Sequence, residues 1–144
     1  MNLTDYLAIY GAVLSSIGFI WHVYKSNKDK AKIVVNANFG FFGSSGGAEG
    51  PFFFVKAINK GQRPINLSSV GIRLDNDEDL INLRTFTLPK KLEEGSSHSE
   101  WFILEDLKDK KCLFAWYKDE TGKLYKSKSI KKKLNNYFRS KVII

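Results

Sequence analysis

The sequence predicts a mainly β protein with an apolar helix near its N-terminus and a short basic helix near its C-terminus. Three observations predict this class. Residues 6–24 contain no Asp, Glu, Lys or Arg. Seven later segments alternate or run apolar in the manner of β-strands, and turn residues separate them at intervals of about 8–12 residues. Residues 123–144 contain basic residues and no acidic ones.

The uncharged segment 6–24 reads YLAIYGAVLSSIGFIWHVY and is 19 residues long. As a helix it would measure about 28 Å, close to the roughly 30 Å hydrocarbon core of a bilayer. Aromatic side chains lie towards its two ends, where they favour the membrane–water interface. These are Tyr6, Tyr10, Trp21 and Tyr24. We therefore predict a single transmembrane helix whose first partner is the lipid bilayer.

Two alternatives to a membrane span were compared with the sequence, and only the second remains open. A secretory signal peptide needs a positively charged start and a short apolar centre, whereas this chain begins Met-Asn-Leu-Thr-Asp and its apolar run is too long. A buried amphipathic helix of a soluble domain stays open, because Gly11, Ser15, Ser16, Gly18 and His22 dilute the hydrophobicity.

Small residues in this segment recur at alternating spacings of three and four, which places them along one side of a helix. The stripe consists of Ala8, Gly11, Ser15, Gly18 and His22. Small residues let membrane helices approach closely, so the stripe predicts pairing with a second copy or with another membrane protein. Small residues are also common in membrane helices, and a chance arrangement stays open. We expect His22 to be a polar contact of this interface.

Charge around the helix predicts its orientation. Lys25, Lys28, Lys30 and Lys32 follow the segment, whereas Asp5 is the charged side chain before it. Lysines close to a span stay on the cytoplasmic side, so we expect the N-terminus outside and the rest of the chain in the cytoplasm of a bacterial cell, at the inner membrane. A lone cysteine, Cys112, agrees with a reducing compartment.

Three regions follow from length and composition. Residues 1–30 form the membrane anchor with its basic flank, residues 31–130 form a β-sandwich domain, and residues 131–144 form a basic amphipathic segment. The part after the anchor has the length of one domain with one core. Residues 43–50, GSSGGAEG, are low in complexity and predict a strand-to-strand loop.

Seven segments have strand patterns, and the second is apolar on both faces, which favours a central position. The predicted strands are 32–42, 51–59, 65–74 with a bulge near 68–69, 80–88, 97–104, 111–118 and 124–130. Residues 89–95 are predicted to be a connection, and Asp119-Glu120-Thr121-Gly122 a tight hairpin turn. Seven short antiparallel strands suggest an immunoglobulin-like sandwich, although its Cys…Trp…Cys hallmark is absent.

Three successive motifs carry a family resemblance: AINKGQRPINLSSVGIRL, then LPKKLEEG, then AWYKDETGKLYKSKSI. They resemble uncharacterised bacterial proteins that combine one N-terminal membrane helix with a small β-sandwich. The shared features are an asparagine–glycine–arginine–proline turn, a proline–leucine–glycine connection and an aspartate–threonine–glycine–lysine hairpin. The resemblance covers most of residues 55–130 and implies a membrane-anchored β-sandwich. It implies no activity and no catalytic residue.

An acidic segment suggests a calcium loop but lacks two of its requirements. Asp75, Asp77 and Asp79 have the spacing of the first, third and fifth loop positions. The sixth position must be Gly and the twelfth Glu, whereas Leu80 and Phe86 occupy them. We therefore expect a hairpin turn here. One Cys and two distant His residues likewise make no zinc site.

Two further segments invite an enzymatic or phosphate-binding interpretation. The glycine-rich residues 40–47 lack the Lys-Ser/Thr or the helix that a phosphate cradle needs, and Glu49 would repel phosphate. Ser97, His98 and Ser99 are neighbours in a predicted strand, so the histidine and the serines point to opposite faces. We expect no enzyme activity, no metal and no cofactor.

The basic C-terminal segment is the strongest functional signal. Eight basic residues lie in residues 123–144, and the other 15 are balanced by all 15 acidic residues of the chain. Ile130, Leu134, Tyr137 and Phe138 fall on one helical face. The candidate contacts to anionic lipid headgroups are Lys131, Lys132, Lys133, Arg139 and Lys141. Binding to nucleic acid, the less favoured partner, and simple packing on the sandwich stay open.

Together these patterns predict a non-enzymatic, single-pass membrane protein whose cytoplasmic β-sandwich binds or senses a partner, as an adaptor in signalling or phage defence. The alternative is a membrane-tethered sensor of nucleotide or nucleic acid that uses the basic C-terminus. A third hypothesis reverses the topology and makes the domain an envelope-facing binding module.

Overall fold

The computed structural model of the chain describes residues 2–28, 30–44, 47–82 and 87–141. The helices are α1 Leu3–Lys28, α2 Leu104–Leu107 and α3 Lys131–Lys141. The strands are β1 Ile33–Ser44, β2 Gly47–Asn59, β3 Ile65–Leu74, β4 Asp79–Ile81, β5 Lys90–Leu92, β6 Ser97–Ile103, β7 Cys112–Asp119 and β8 Leu124–Lys126. The protein is therefore mainly β with helices, as the sequence predicts.

The N-terminal helix α1 is 26 residues long and contains the whole predicted segment 6–24. At its start the backbone N–H of Asn2 donates to the Asp5 carboxylate at 2.9 Å, which satisfies a free amide of the first turn. The helix is long and apolar enough to span a membrane. All of its described side chains are exposed, so α1 is not buried against the β domain.

The smaller sheet has three antiparallel strands in the order β1-β2-β6. The prediction that the second strand is central is confirmed. Its inward residues Phe53, Val55 and Ala57 are fully buried, while alternate residues such as Phe54 and Lys56 face outward.

The larger sheet has five strands in the order β4-β3-β7-β8, with β5 also paired to β3. The predicted strand 65–74 matches β3, and the predicted bulge is confirmed by a register shift between Leu67 and Ser69. The tight hairpin between β7 and β8 is also confirmed. There the N–H of Gly122 donates to the carbonyl of Asp119 at 3.0 Å, and Gly122 has a φ of 87°.

Both sheets and α3 contribute to one buried core, in which Val55 and Ala115 lie on opposite sheets and Leu134 comes from α3. Tyr117 links the sheets directly, because its hydroxyl donates to the Val55 carbonyl at 2.9 Å. Burial raises the pKa of Tyr117, so the hydroxyl stays protonated and keeps its role as a donor. The apolar face of the C-terminal helix packs on the domain, which is the alternative left open for this segment in the sequence analysis.

The structure corrects the number and length of the strands: eight are described where seven were predicted. β5 lies in the predicted connection 89–95, and its three residues are too few to give a sequence pattern. The predicted strand 80–88 is confirmed only around β4, because Asn82 turns towards the smaller sheet and donates to the Trp101 carbonyl at 2.7 Å. Residues 83–86 of that prediction lie outside the described residues.

Three further predictions needed correction. The glycine-rich segment 43–50 was predicted to be a loop, but β1 continues to Ser44 and β2 begins at Gly47, since backbone pairing does not need large side chains. Residues 45 and 46 lie outside the described residues. β8 ends at Lys126 rather than at 130, and the four-residue helix α2 follows β6 where the predicted strand ended at 104.

Candidate functional site

The small-residue stripe of α1 is open along its described length. Ala8, Gly11, Ser15, Gly18 and His22 are all exposed. A Cβ atom added at Gly11 or Gly18 would meet nothing within 4 Å. The Ser15 hydroxyl donates to the Ala12 carbonyl at 2.9 Å within the helix. The stripe is therefore accessible to another helix, and its serine hydroxyl is already satisfied.

The junction between α1 and the domain is built by the turn that follows β2. The N–H of Lys60 donates to the Lys32 carbonyl at 2.8 Å. A Cβ on Gly61 would collide with the carbonyl oxygen of Lys30 and would lie 2.5 Å from the amide nitrogen of Lys32. Glycine is therefore required, because the linker after α1 passes directly over the turn.

Asn59 holds that turn from inside the domain, where it is fully buried. Its side-chain amide donates to the carbonyls of Arg63 at 2.9 Å and Leu92 at 3.2 Å, and its side-chain oxygen accepts from the Gly61 N–H at 3.0 Å. The asparagine–glycine–arginine–proline turn of the resemblance thus forms the junction with the anchor. Backbone groups that would otherwise be unpaired are satisfied by one side chain.

A cleft of about 1140 Å³ lies at the other end of the domain. Its walls come from the start of β2, from α2 and the residues around it, and from the second half of α3. The residues that line it are Gly50, Pro51, Phe52, Ile103, Leu104, Glu105, Lys108, Asp109, Lys110, Lys111, Asn135, Tyr137, Phe138 and Arg139. In the β1–β2 register, Phe52 pairs with Gly40, whereas Asn59 pairs with Ile33 beside α1. This separation corresponds to about 23 Å along the strands.

Charged side chains dominate the polar lining of the cleft. Four are cationic and two are carboxylates: Lys108, Lys110, Lys111, Arg139, Glu105 and Asp109. All six are exposed, and within the described part of the chain none of them forms an ion pair with another. The cleft therefore carries a net positive charge whose cations are available to an anion.

Backbone hydrogen bonds hold the lysine-rich loop that forms one wall. The N–H of Lys110 donates to the Leu107 carbonyl at 3.3 Å, and the Lys111 carbonyl accepts from the Asp75 N–H at 2.9 Å. Asp109 has a φ of 65°, a left-handed conformation that aspartate tolerates better than most residues. The loop backbone is thus fixed while its lysine side chains are exposed to solvent.

Packing fixes the opposite wall, α3. The Tyr137 ring stacks on Phe39 with centroids 4.7 Å apart, and Phe39 meets Phe53 edge-on at 5.4 Å. The Lys133 ammonium donates to the Ala37 carbonyl at 3.0 Å and to the Asn38 side-chain oxygen at 2.7 Å. The contacts of Lys133 and Tyr137 with β1 position Arg139 at the cleft.

No protein-family model and no curated protein matches this chain. Among solved structures, the chain is similar to the X-ray structure of Northeast Structural Genomics Consortium target SoR45. The two share 10% sequence identity over 69% of this chain and 82% of that chain, with a TM-score of 0.30. A similarity this low carries no argument about fold or function.

The predicted basic residues fall into four groups. Lys131 and Lys132 are exposed on the first turn of α3 and do not line the cleft, whereas Arg139 does. Lys133 donates to β1. Lys141 ends α3, and its side chain lies outside the described residues. The sequence gives no signal for the lysines at 108, 110 and 111, because nothing in their spacing relates them to α3.

The residues around His98 alternate between the two faces of β6, as is usual for a β-strand. Ser97 and Ser99 are exposed, and the predicted divergence from His98 is confirmed. His98 and Glu100 share the inner face, with Nε2 and Oε1 2.7 Å apart, and the Thr87 hydroxyl also donates to the Glu100 carboxylate. This pairing was not predicted, although residues two apart in a strand lie on the same face.

The acidic segment forms the predicted hairpin turn between β3 and β4, in which Asp77 has a φ of 62°. Asp79 accepts hydrogen bonds from Arg73 at 2.6 Å and from the Trp116 ring nitrogen at 2.9 Å. The Arg73 hydrogen bond lowers the pKa of Asp79 against the opposing effect of burial. Among the described residues, no group of three or more His, Cys, Asp or Glu side chains is placed to hold a metal ion.

Aromatic rings cover part of the outer face of the smaller sheet, next to the cleft. Phe42 meets Phe52, Phe54 and Trp101 edge-on, with centroids 5.1 to 5.8 Å apart. Phe42 is 40% exposed and the bulged residue Phe41 is 64% exposed. This aromatic patch joins the cleft at Phe52, which belongs to both.

Proposed function

We propose that this protein is a non-enzymatic, single-pass membrane protein that tethers a β-sandwich binding domain to the inner membrane of a bacterial cell. In this proposal α1 crosses the bilayer with its N-terminus outside, and the domain binds or senses a partner in the cytoplasm. The domain would be immunoglobulin-like, in keeping with the sequence resemblance. Signalling or phage defence fits such a layout.

The exposure of α1 is the observation that carries the proposal. Large apolar side chains are exposed all around the helix, for example Phe19 at 70%, Trp21 at 67% and Leu7 at 63%. The β domain has a core to which α1 contributes no residue. A continuous apolar surface of this length is unfavourable in water but matches the hydrocarbon core of a bilayer. The lysines that follow support an orientation with the domain in the cytoplasm.

Membrane fractionation tests the anchor. We expect the full-length protein to pellet with membranes, to resist extraction by high salt and alkaline carbonate, and to dissolve in detergent. A green fluorescent protein fused after Ile144 should fluoresce, and alkaline phosphatase fused there should be inactive. Recovery of the full-length protein in the supernatant without detergent would overturn the proposal. An active phosphatase fusion would favour the envelope-facing topology.

Pairing of α1 through its small-residue stripe is part of the same proposal, and the open space at Gly11 and Gly18 supports it. We expect Ser15→Leu to reduce severalfold the yield of crosslinked product in native membranes, whether that product is a dimer or a complex with another membrane protein. Ser16→Leu is the matched control, because both serine hydroxyls donate to Ala12 but only Ser15 lies on the stripe. Equal crosslinking of both variants and the unmodified protein would argue against an interface on the stripe.

The exposed lysines at the start of α3 support a contact with anionic headgroups. Lys131 and Lys132 are exposed on the first turn of α3 and do not line the cleft. We assign headgroup binding to these two lysines. Arg139 faces the distant cleft instead.

The second candidate function is sensing of a nucleotide or nucleic acid. The cleft favours it, since Arg139 meets three lysines from another part of the chain together with aromatic side chains. The glycine-rich segment contributes only Gly50 to this cleft. The four cations, rather than the basic C-terminus as a whole, support this candidate.

A further inference from the structure

We infer that the cleft binds a nucleotide, meaning a small phosphorylated ligand with a flat aromatic base. Lys108, Lys110, Lys111 and Arg139 would hold its phosphate groups, and the apolar side of the cleft would take its base. This inference rests on the second candidate function. It narrows the ligand from a nucleotide or nucleic acid to a nucleotide, and it narrows the binding residues from the basic C-terminal segment to the four cations of the cleft.

Convergence of cations is the first support. The three lysines come from the loop between α2 and β7, and Arg139 comes from α3, so two segments far apart in sequence face one space. The hydrogen-bonded loop and the packed helix position both sets before any ligand arrives. Exposed lysine and arginine side chains that extend from a fixed backbone and have no carboxylate partner suit phosphate oxygens.

Aromatic side chains beside these cations are the second support. Phe52, Tyr137 and Phe138 line the cleft and are each half-buried. Partly exposed rings next to basic residues are the combination that proteins use to bind a base and a phosphate together. A ligand with phosphate alone would leave these rings in water.

The two carboxylates of the cleft distinguish among anionic ligands. Glu105 and Asp109 would repel a ligand that is negative along its whole length, such as an acidic peptide. They suit a ligand that carries hydrogen-bond donors beside its phosphate, because ionised carboxylates only accept hydrogen bonds. Sugar hydroxyls and the exocyclic amines of bases are such donors.

Size and position favour a free nucleotide over a lipid headgroup. The cleft volume of about 1140 Å³ exceeds the usual range of roughly 300–1,000 Å³ for small-molecule sites, so a nucleotide fits and a single phosphate would fill little of it. The cleft also lies about 23 Å along the strands from the junction with α1. A headgroup of the membrane that α1 crosses is therefore distant from the four cations.

Titration of the full-length protein in nanodiscs of neutral phosphatidylcholine tests the inference. We expect ATP and AMP to bind saturably at about 50 mM salt, and inorganic pyrophosphate to bind at least about tenfold more weakly because it has no base. Arg139→Ala and Lys110→Ala should each weaken ATP binding about tenfold. Lys131→Ala is the matched control, an exposed lysine on α3 outside the cleft, and should change the Kd less than about twofold.

Several outcomes would overturn the inference. One is the absence of saturable ATP and AMP binding, and another is an affinity for pyrophosphate equal to that for ATP. A loss of ATP affinity in the Lys131→Ala control as large as that in the cleft variants would indicate nonspecific attraction. Nanodiscs that contain phosphatidylglycerol distinguish a free nucleotide from a lipid headgroup as the source of the phosphate. A headgroup bound in the cleft would compete with ATP and abolish its binding. A ten-nucleotide RNA that binds far more tightly than ATP would indicate nucleic acid instead. Failure here leaves the membrane fractionation result unchanged, so the anchor proposal is judged separately.

Discussion

At the end of the domain where α1 joins, a buried side chain pairs with backbone groups and the backbone leaves no room for a larger residue at the turn. At the opposite end, six charged side chains line an open cleft. Asn59 satisfies three backbone groups at the junction, and Gly61 has no room for a methyl group. At the cleft, backbone hydrogen bonds also hold the loop, but the side chains of Lys108, Lys110 and Arg139 are exposed. The comparison separates residues that hold the fold from residues available to a ligand.

The largest effect is expected from Gly61→Ala. The added methyl group would collide with the backbone around Lys30 and Lys32, so either the turn or the linker must move. We expect the free energy of unfolding of the full-length protein in detergent to fall by roughly 3 kcal/mol or more in urea titrations. Gly43→Ala is the control, because a Cβ there meets nothing within 4 Å.

If Gly61→Ala and Gly43→Ala unfold at the same urea concentration, the linker does not pass over the turn as described. A second readout tests the junction itself. Limited proteolysis should cut Gly61→Ala faster near Lys30, since the displaced linker becomes accessible, and should leave the Gly43→Ala pattern unchanged.

These two ends also show what could be predicted from the sequence. The sequence predicts the turn after β2 because three turn residues, Asn59, Gly61 and Pro64, lie within six consecutive positions. The strands were found where five or more residues alternate or run apolar, as in β3, β6 and β7. Short elements such as β5 and α2 were missed, because three or four residues cannot establish a period.

The cleft could be predicted only in part, because it depends on tertiary packing. The basic segment predicts a site at Arg139, but the direction that Arg139 faces is set by the stacking of Tyr137 on Phe39. No periodicity connects Lys108, Lys110 and Lys111 to α3, so the sequence predicts no site at these lysines. Lys133 was grouped with the other basic residues, and its two hydrogen bonds to β1 were not evident from the sequence.

A smaller effect on the free energy of unfolding is expected when the pH is lowered. It should arise mainly at the end of the domain where α1 joins. Asp119 is buried in the turn before β8, near the Asn59 turn, and Glu120 beside it is bonded to Asn66. Burial alone would raise the pKa of Asp119, but hydrogen bonds from Thr121, the Lys123 N–H and Tyr125 outweigh it and lower that pKa. Asp119 therefore favours the folded state when it is ionised.

The sign of the pH dependence follows from the lowered pKa. The stabilisation by Asp119 is fully present above the ordinary carboxyl value of 3.8 and is lost as the pH falls through the lower value of the folded protein. We expect Asp119→Asn to lower the free energy of unfolding by roughly 1–3 kcal/mol at pH 7 and to flatten its decline below pH 4. Asp75→Asn, at an exposed position near the cleft, should do neither. An unchanged acid profile in Asp119→Asn would refute the assignment.

The smallest effect on stability is expected from the cleft cations. Lys110→Ala and Arg139→Ala remove exposed side chains that have no ion-pair partner among the described residues, so the free energy of unfolding should change by less than about 0.5 kcal/mol. Lys133→Ala is the informative comparison on the same helix, because it removes two hydrogen bonds to β1 and should cost about 1 kcal/mol. Urea titrations of the full-length variants measure all three. A loss at Arg139 as large as that at Lys133 would mean that Arg139 supports the packing of α3, and the contrast between the two ends of the domain would no longer hold.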